Sequence, residues 1–263
     1  MSPSYTQLLR EEIGLYSGNL YEAKRNWPSL RVSPADWLKD VRIPVRVGPE
    51  VALLLGVYYA HGAIIPHSKD KKVDTRIELY GRNCDFEFYD RLVEPLIRKI
   101  HNIIPKKPSA ERIRAKAERN PDFTYNVPSY EIHSLALASW LQKSIGMSNS
   151  WDDRKVPNLE NEEQKLGFFK GLVAGLGNIY VYPDRSRMRI ETRNLRFIEG
   201  LKRLSEELRF SPTIGRNGTI FDRLIDPSVP AGYSHRWASD SGAYEGSERE
   251  AGRKAPLDET GRK

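Results

Sequence analysis

Hydrophobic positions are densest in two blocks, residues 51–62 (VALLLGVYYAHG) and residues 166–177 (LGFFKGLVAGLG). Within the first, Ala52, Gly56 and Ala60 recur every four residues, and within the second Gly167, Gly171 and Gly175 do the same. Positions four apart share one face of a helix, so each block predicts a helix carrying a stripe with almost no side chain. A glycine inside a helix costs about 1 kcal/mol relative to alanine. Three in register therefore point to close packing of backbones, and each helix is the natural partner of the other. Each block stops at a glycine, Gly62 or Gly177, the residue type that best tolerates a left-handed conformation after the last turn.

After each block the period changes from about four to two. AIIPH and TRIELY read as strands, a helix follows through about 86–104 with Pro95 as a kink or break, and RIRAKAERN pairs with DFTYNVPS around Asn120-Pro121-Asp122. YEIHSLALASWLQKSI then reads as an amphipathic helix. The second block is followed by strands NIYVY and RMRIET, helix NLRFIEGLKRLSEEL, and a hairpin SPTIGRNGTIFDRL turning at Asn217-Gly218. Arg76-Ile77-Glu78 recurs as Arg189-Ile190-Glu191, as an internal duplication would leave it. The expected architecture is α+β, two pseudo-symmetric lobes with antiparallel sheets and a two-helix seam. Its divisions are an N-terminal helical extension (1–43), a first lobe (44–148), a linker (149–161), a shorter second lobe (162–225) and a tail (226–263) whose Ser, Gly, Pro and charge content reads as disordered. In the extension, YTQLLREEIGLY has helical periodicity and Ser33-Pro34 before ADWLKD reads as an N-cap followed by proline at the first helical position. A helical prop and a helix-turn-helix both fit that pattern.

Strand alternation also sorts charge. Arg112, Arg114 and Lys116 share one face of RIRAKA, opposite Ile113, Ala115 and Ala117; Arg187 and Arg189 oppose Met188 and Ile190; Tyr180 and Tyr182 oppose Ile179 and Val181. A half-buried antiparallel sheet beside water gives the same alternation, and taken alone the pattern favours that reading. Forty-two Lys and Arg against thirty-five Asp and Glu give a formal charge of +7, which favours polyanions through non-specific attraction.

LLGVYYAHG (54–62) and FKGLVAGLG (169–177) resemble the two nonapeptides that name the LAGLIDADG homing endonucleases, and their spacing is similar to that of the single-chain, two-lobed members. The resemblance covers roughly residues 44–225. It implies that the sheets face a duplex major groove, where Arg and Lys read guanine edges and phosphates, with Arg76, Arg112, Arg114, Lys116, Tyr180, Tyr182, Arg187, Arg189 and Arg216 as the nucleic-acid-binding set. It also exposes a departure. The eighth residue of each family nonapeptide is an acid that holds divalent ions; here these positions are His61 and Leu176. Magnesium takes oxygen ligands, and a two-metal displacement needs them on both reacting oxygens. Glu50 lies eleven residues before His61, about 16 Å away at the other end of the helix, and Asp70, Asp74 and Asp184 fall in or near the following strands or turns. The scaffold is therefore expected to bind double-stranded DNA without cutting it, with no catalytic residue and no metal or other cofactor. Magnesium enters only under the alternative of an active or nicking endonuclease. An RNA-binding, maturase-like role is a further alternative, and a structural module with solvated basic faces is the last.

Other chemistry is thinly signalled. One cysteine, Cys84, allows no internal disulfide. His61, His67, His101, His133 and His235 have no metal-ligand spacing, although His61 at a helix C-terminus is placed to favour its charged form and to meet a phosphate. Tyr58 and Tyr59 read as core aromatics. No Gly-rich phosphate loop, nucleophile elbow or Cys–His pairing occurs. The stretch Val51–Ile65 is too short to span a bilayer, and no leader pattern opens the chain, so an intracellular monomer with internal pseudo-two-fold symmetry, cytoplasmic or nucleoid-associated and without a membrane partner, is expected.

Overall fold

Helix α3 (Pro49–His61) starts as its sequence dictates, at an extended Gly48 with Pro49 in the first turn, where the missing N–H costs nothing. It is apolar around most of its circumference because it is buried on most sides: Val51, Leu54, Leu55, Tyr58 and Tyr59 are all inaccessible. Its partner is α6 (Glu162–Leu176). The computed structural model describes residues 17–66, 75–81, 88–107, 127–181, 186–192, 194–215 and 219–224, all within one packed unit that ends at Ile225.

The two helices run parallel with their backbones touching. A Cβ added to Gly167 would overlap the Pro49 carbonyl, one on Gly171 the Leu53 carbonyl, and one on Gly56 the Phe168 carbonyl and Leu172 N–H. At the far end Gly175 lies against Ala60 and the His61 ring. Ala52 faces Gly167 at the near end. Gln164 secures that end by donating from Nε2 to the Val47 carbonyl at 2.7 Å.

Each seam helix feeds directly into an antiparallel sheet. Strands β3 (Gly62–Ile65), β4 (Arg76–Gly81) and β5 (Val127–Ile132) form the first, in the order β3-β4-β5. The second contains β6 (Gly177–Val181), β7 (Ser186–Glu191), β8 (Pro212–Ile214) and β9 (Thr219–Leu224), in the order β6-β7-β9-β8. A helix follows the first strand pair of each half. These are α4 (Glu94–His101), entered through a wide turn at Tyr89–Val93, and α7 (Leu195–Glu207), capped by Asn194. The architecture is α+β with antiparallel sheets and a two-helix seam.

Several local expectations shift. Gly62 is extended (φ −80°, ψ 135°) rather than left-handed; it is glycine because a Cβ there would overlap the Tyr58 carbonyl and press on Met147. Pro95 begins the regular part of α4 instead of breaking it, the wide turn before it absorbing the missing donor. Tyr130, Glu131 and Ile132 belong to β5 rather than to the following helix, which is α5 (Leu135–Ser139), continued by a wide turn to Ser144. The extended Ser134 caps α5 through its side chain, so the backbone cannot enter the helix earlier. The pairing around Asn120-Pro121-Asp122, the Asn217-Gly218 turn, the helix over YTQLLREEIGLY and the tail 226–263 lie outside the described residues.

At the N-terminal side a short pair, β1 (Ser17–Gly18) with β2 (Ile43–Pro44), brackets helices α1 (Leu20–Asn26) and α2 (Pro34–Leu38). Ser33 and Asp36 form the expected cap of α2, and the buried Asp36 carboxylate also accepts from Ala136 N–H at 3.1 Å. One side chain thus starts α2 and fixes it to α5. Behind α3, His101 is fully buried beside Tyr58 and Trp140, with ring centroids 6.2 and 6.1 Å away. Its Nδ1 donates to the Arg42 carbonyl at 3.1 Å, and its Nε2 has no partner among the described residues. Burial pushes its pKa down to about 4, because protonation would leave a charge with no acceptor on Nε2.

Two measurements test this packing. Gly→Ala in an exposed helix stabilises by up to about 1 kcal/mol; Gly171→Ala should instead lose about 3 kcal/mol or more in denaturant unfolding, because the methyl must force α3 and α6 apart. A neutral or stabilised variant would show that the helices do not meet at this residue. For His101, the unfolded state takes up a proton near pH 6.5 and the folded state only near 4. Stability should be full above about pH 6.5 and fall by up to about 3 kcal/mol as pH drops toward 4, and His101→Leu should remove most of that slope.

Candidate functional site

Because the seam helices are parallel, their carbonyl ends converge, and the partial negative charges of both dipoles meet there. The residues at this end are His61 and Leu176, each followed by the first residue of a sheet, Gly62 or Gly177. The His61 ring lies over Gly175 and edge-on to Tyr89, 6.0 Å between centroids. Leu176 is partly buried against the core.

A cation that the sequence does not advertise serves this end. Arg154, from the stretch expected to be a linker, is 4% exposed. Its Nη1 donates to the Tyr59 carbonyl at 2.6 Å, Nη2 to the Gly62 carbonyl and Nε to the Ser148 carbonyl at 3.1 Å. The guanidinium caps α3, where a positive charge is stabilised by the helix dipole. Desolvation still pulls its pKa down to about 10, with Tyr59 acting in the opposite direction. Arg154 also lies 5.0 Å over the Trp151 ring. Trp151 in turn donates to Thr192 Oγ1, and Asn194 Nδ2 donates to the Trp151 and Arg154 carbonyls while its Oδ1 caps α7. Residues 151–154 therefore join the end of α3 to the start of α7. Nothing in WDDRKVP distinguishes this arginine from a solvated one.

Among the described residues the side chains at the seam end, an imidazole, an isobutyl group and a guanidinium engaged with three carbonyls, do not fit magnesium, which takes oxygen ligands. Among the described residues no three His, Cys, Asp or Glu side chains cluster as metal ligands. Glu50 sits at the other end of α3, paired with Lys99 at 3.0 Å. Asp70, Asp74, Asp184, Cys84, His67 and His235 lie outside the described residues. Tyr58 and Tyr59 are core side chains, and Tyr59 packs across the seam on Phe168 and Phe197, 5.4 and 6.3 Å between centroids.

Of the residues expected to bind nucleic acid, the described strands hold Arg76, Tyr180, Arg187 and Arg189. Tyr180, Arg187 and Arg189 fall on β6 and β7, where Tyr180 pairs with Arg187 and Asn178 with Arg189. On the other side of β7, β9 sets Arg223 opposite Arg187 and Phe221 opposite Arg189. Arg76 is on β4, but Glu78 engages it with Nε to Oε1 at 2.6 Å. Tyr80 donates to the other Glu78 oxygen, and burial, followed by that bond and charge, pushes its phenol well above its ordinary pKa. Glu131 stands opposite Glu78 in register, itself buried and 3.5 Å from His133 Nε2. Arg112, Arg114, Lys116, Tyr182 and Arg216 lie outside the described residues. No helix among the described residues is long and apolar enough to cross a membrane.

No protein-family model matches the sequence, and no curated protein matches it. Among solved structures the chain is similar to the homing endonuclease I-WcaI bound to its DNA recognition sequence, with 12% identity over 85% of this chain and 84% of that chain and a TM-score of 0.40. A likeness at this level assigns no function.

The arginine cap is testable without knowing the ligand. Arg154→Met keeps most of the side-chain length but takes a charged donor from each of three carbonyls, so it should cost about 3 kcal/mol or more in unfolding free energy. A loss below about 1 kcal/mol would show that the guanidinium is not needed at the helix end.

Proposed function

We propose that this chain binds duplex DNA along its antiparallel sheets and does not cut it. The observation that carries the reading is the seam. The two helices whose residues resemble the LAGLIDADG nonapeptides run parallel in backbone contact, and each delivers its chain into a sheet within one residue of its end. Arginines on β7 and β9 and the net positive charge supply the attraction to phosphate. Against cleavage stand His61, Leu176 and Arg154, which offer no carboxylate where the family holds its ions. The protein's work is then occupancy of a site.

Selection of bound fragments from a random duplex library, followed by incubation of the preferred duplex with magnesium, tests both parts. The duplex should be retained and remain uncut when fully bound, and neither His61→Asp nor Leu176→Asp should create double-strand cutting, because one acid cannot complete a paired ion site. Product bands that appear with magnesium and vanish with chelator would replace this reading with an active or nicking endonuclease. Preference for structured RNA over any duplex by tenfold or more would move it to the RNA-binding alternative.

A further inference from the structure

The two sheets are not equivalent once they are aligned by register rather than by sequence. Gly62 pairs with Leu79 and Gly177 with Ile190, and Leu79 and Ile190 are both buried against the helices. These pairs are the common reference point, since each follows a seam helix directly. From them, Arg76 corresponds to Arg187, Ile77 to Met188 and Glu78 to Arg189. The repeated Arg-Ile-Glu triplets are thus out of step by two residues.

The offset reverses the charge of the corresponding rows. In the first sheet one row runs Ala63, Glu78, Glu131; in the second the same row runs Asn178, Arg189, Phe221. The next row pairs Ile65 with Arg76 in the first sheet and joins Tyr180, Arg187 and Arg223 in the second. In these rows β4 and β5 carry one arginine and two carboxylates, whereas β7 and β9 carry three arginines. The single base of the first set is not available to a ligand. Its guanidinium is bound to Glu78 at 2.5 Å, and the side chains of Arg76 and Glu78 are 20% and 6% exposed. Drawing Arg76 to a phosphate would take its cation from a buried carboxylate, a costly way to break an ion pair.

We infer that phosphate contact by these two sheets is one-sided: Arg187, Arg189 and Arg223 of the second sheet hold the polyanionic backbone, and Arg76 of the first holds Glu78 instead. The inference rests on the duplex-binding reading and specifies which sheet carries its electrostatic part. A duplex engaged in this way draws the electrostatic attraction of these two sheets from β7 and β9, on one side of the seam.

The salt dependence of duplex binding, followed by fluorescence anisotropy on the full chain, decides it. R187Q/R189Q/R223Q should flatten the slope of log K against log salt by about 2 to 3, near one unit per lost phosphate contact. R187K/R189K/R223K should keep the slope, which separates lost charge from damaged folding. R76Q/E78Q, which removes both charges of the internal pair together, should leave the slope within about half a unit. A flattening of one unit or more in R76Q/E78Q, or none in R187Q/R189Q/R223Q, overturns the one-sided assignment while duplex binding stands. A wild-type chain with no salt-dependent affinity for any duplex overturns the functional reading and this inference with it.

Discussion

Two parallel helices whose backbones touch at Gly56, Gly167 and Gly171 set the conditions for everything else in this protein. The arrangement gives up the usual interlocking of side chains in exchange for backbone proximity. It also places two carbonyl ends side by side, an electrostatically unfavourable meeting. Arg154 answers it at the α3 end, and His61 occupies the remaining space over Gly175. The sheets start at fixed positions because Gly62 and Gly177 continue the seam helices without a loop.

The seam was legible because its signal is periodic and negative: a missing side chain every fourth residue has few structural explanations. Caps were legible for a similar reason. Ser33 with Pro34, and Gly48 with Pro49, combine a residue type with a position that a helix start requires. The strands following each seam helix announced themselves by alternation. What could not be read were features decided by distant contacts. Tyr130–Ile132 has an apolar spacing that suits a helix, and only pairing with β4 makes it a strand. Gly62 looks like a left-handed cap and is instead a matter of room beside Tyr58.

The candidate site divides in the same way. His61 and Leu176 stood out from the nonapeptides, whereas Arg154 did not, since its role depends on carbonyls more than ninety residues earlier in the chain. The Arg-Ile-Glu repeat illustrates the opposite error. Sequence alignment matches the triplets, but the hydrogen-bond ladder matches Glu78 to Arg189. The connection between the paired strands is shorter in the second half, and a ladder counts from the glycine that enters it. Charge that looks duplicated in one dimension is therefore opposed in three.

The chain order of the seam has a consequence for how the molecule is made. α3 leaves the ribosome with its glycine face bare and its last carbonyls unpaired; Arg154 follows roughly ninety residues later, and α6 later still. Until then the face of α3 that later meets α6 is uncovered, with Gly56 and the neighbouring backbone lying beside the Tyr59 ring that comes to pack on Phe168 and Phe197. Apolar surface uncovered in this way is the usual hazard of a partly made protein. The seam is therefore closed only when the second half of the chain has been made, by the helix whose own glycines let its backbone reach that of α3.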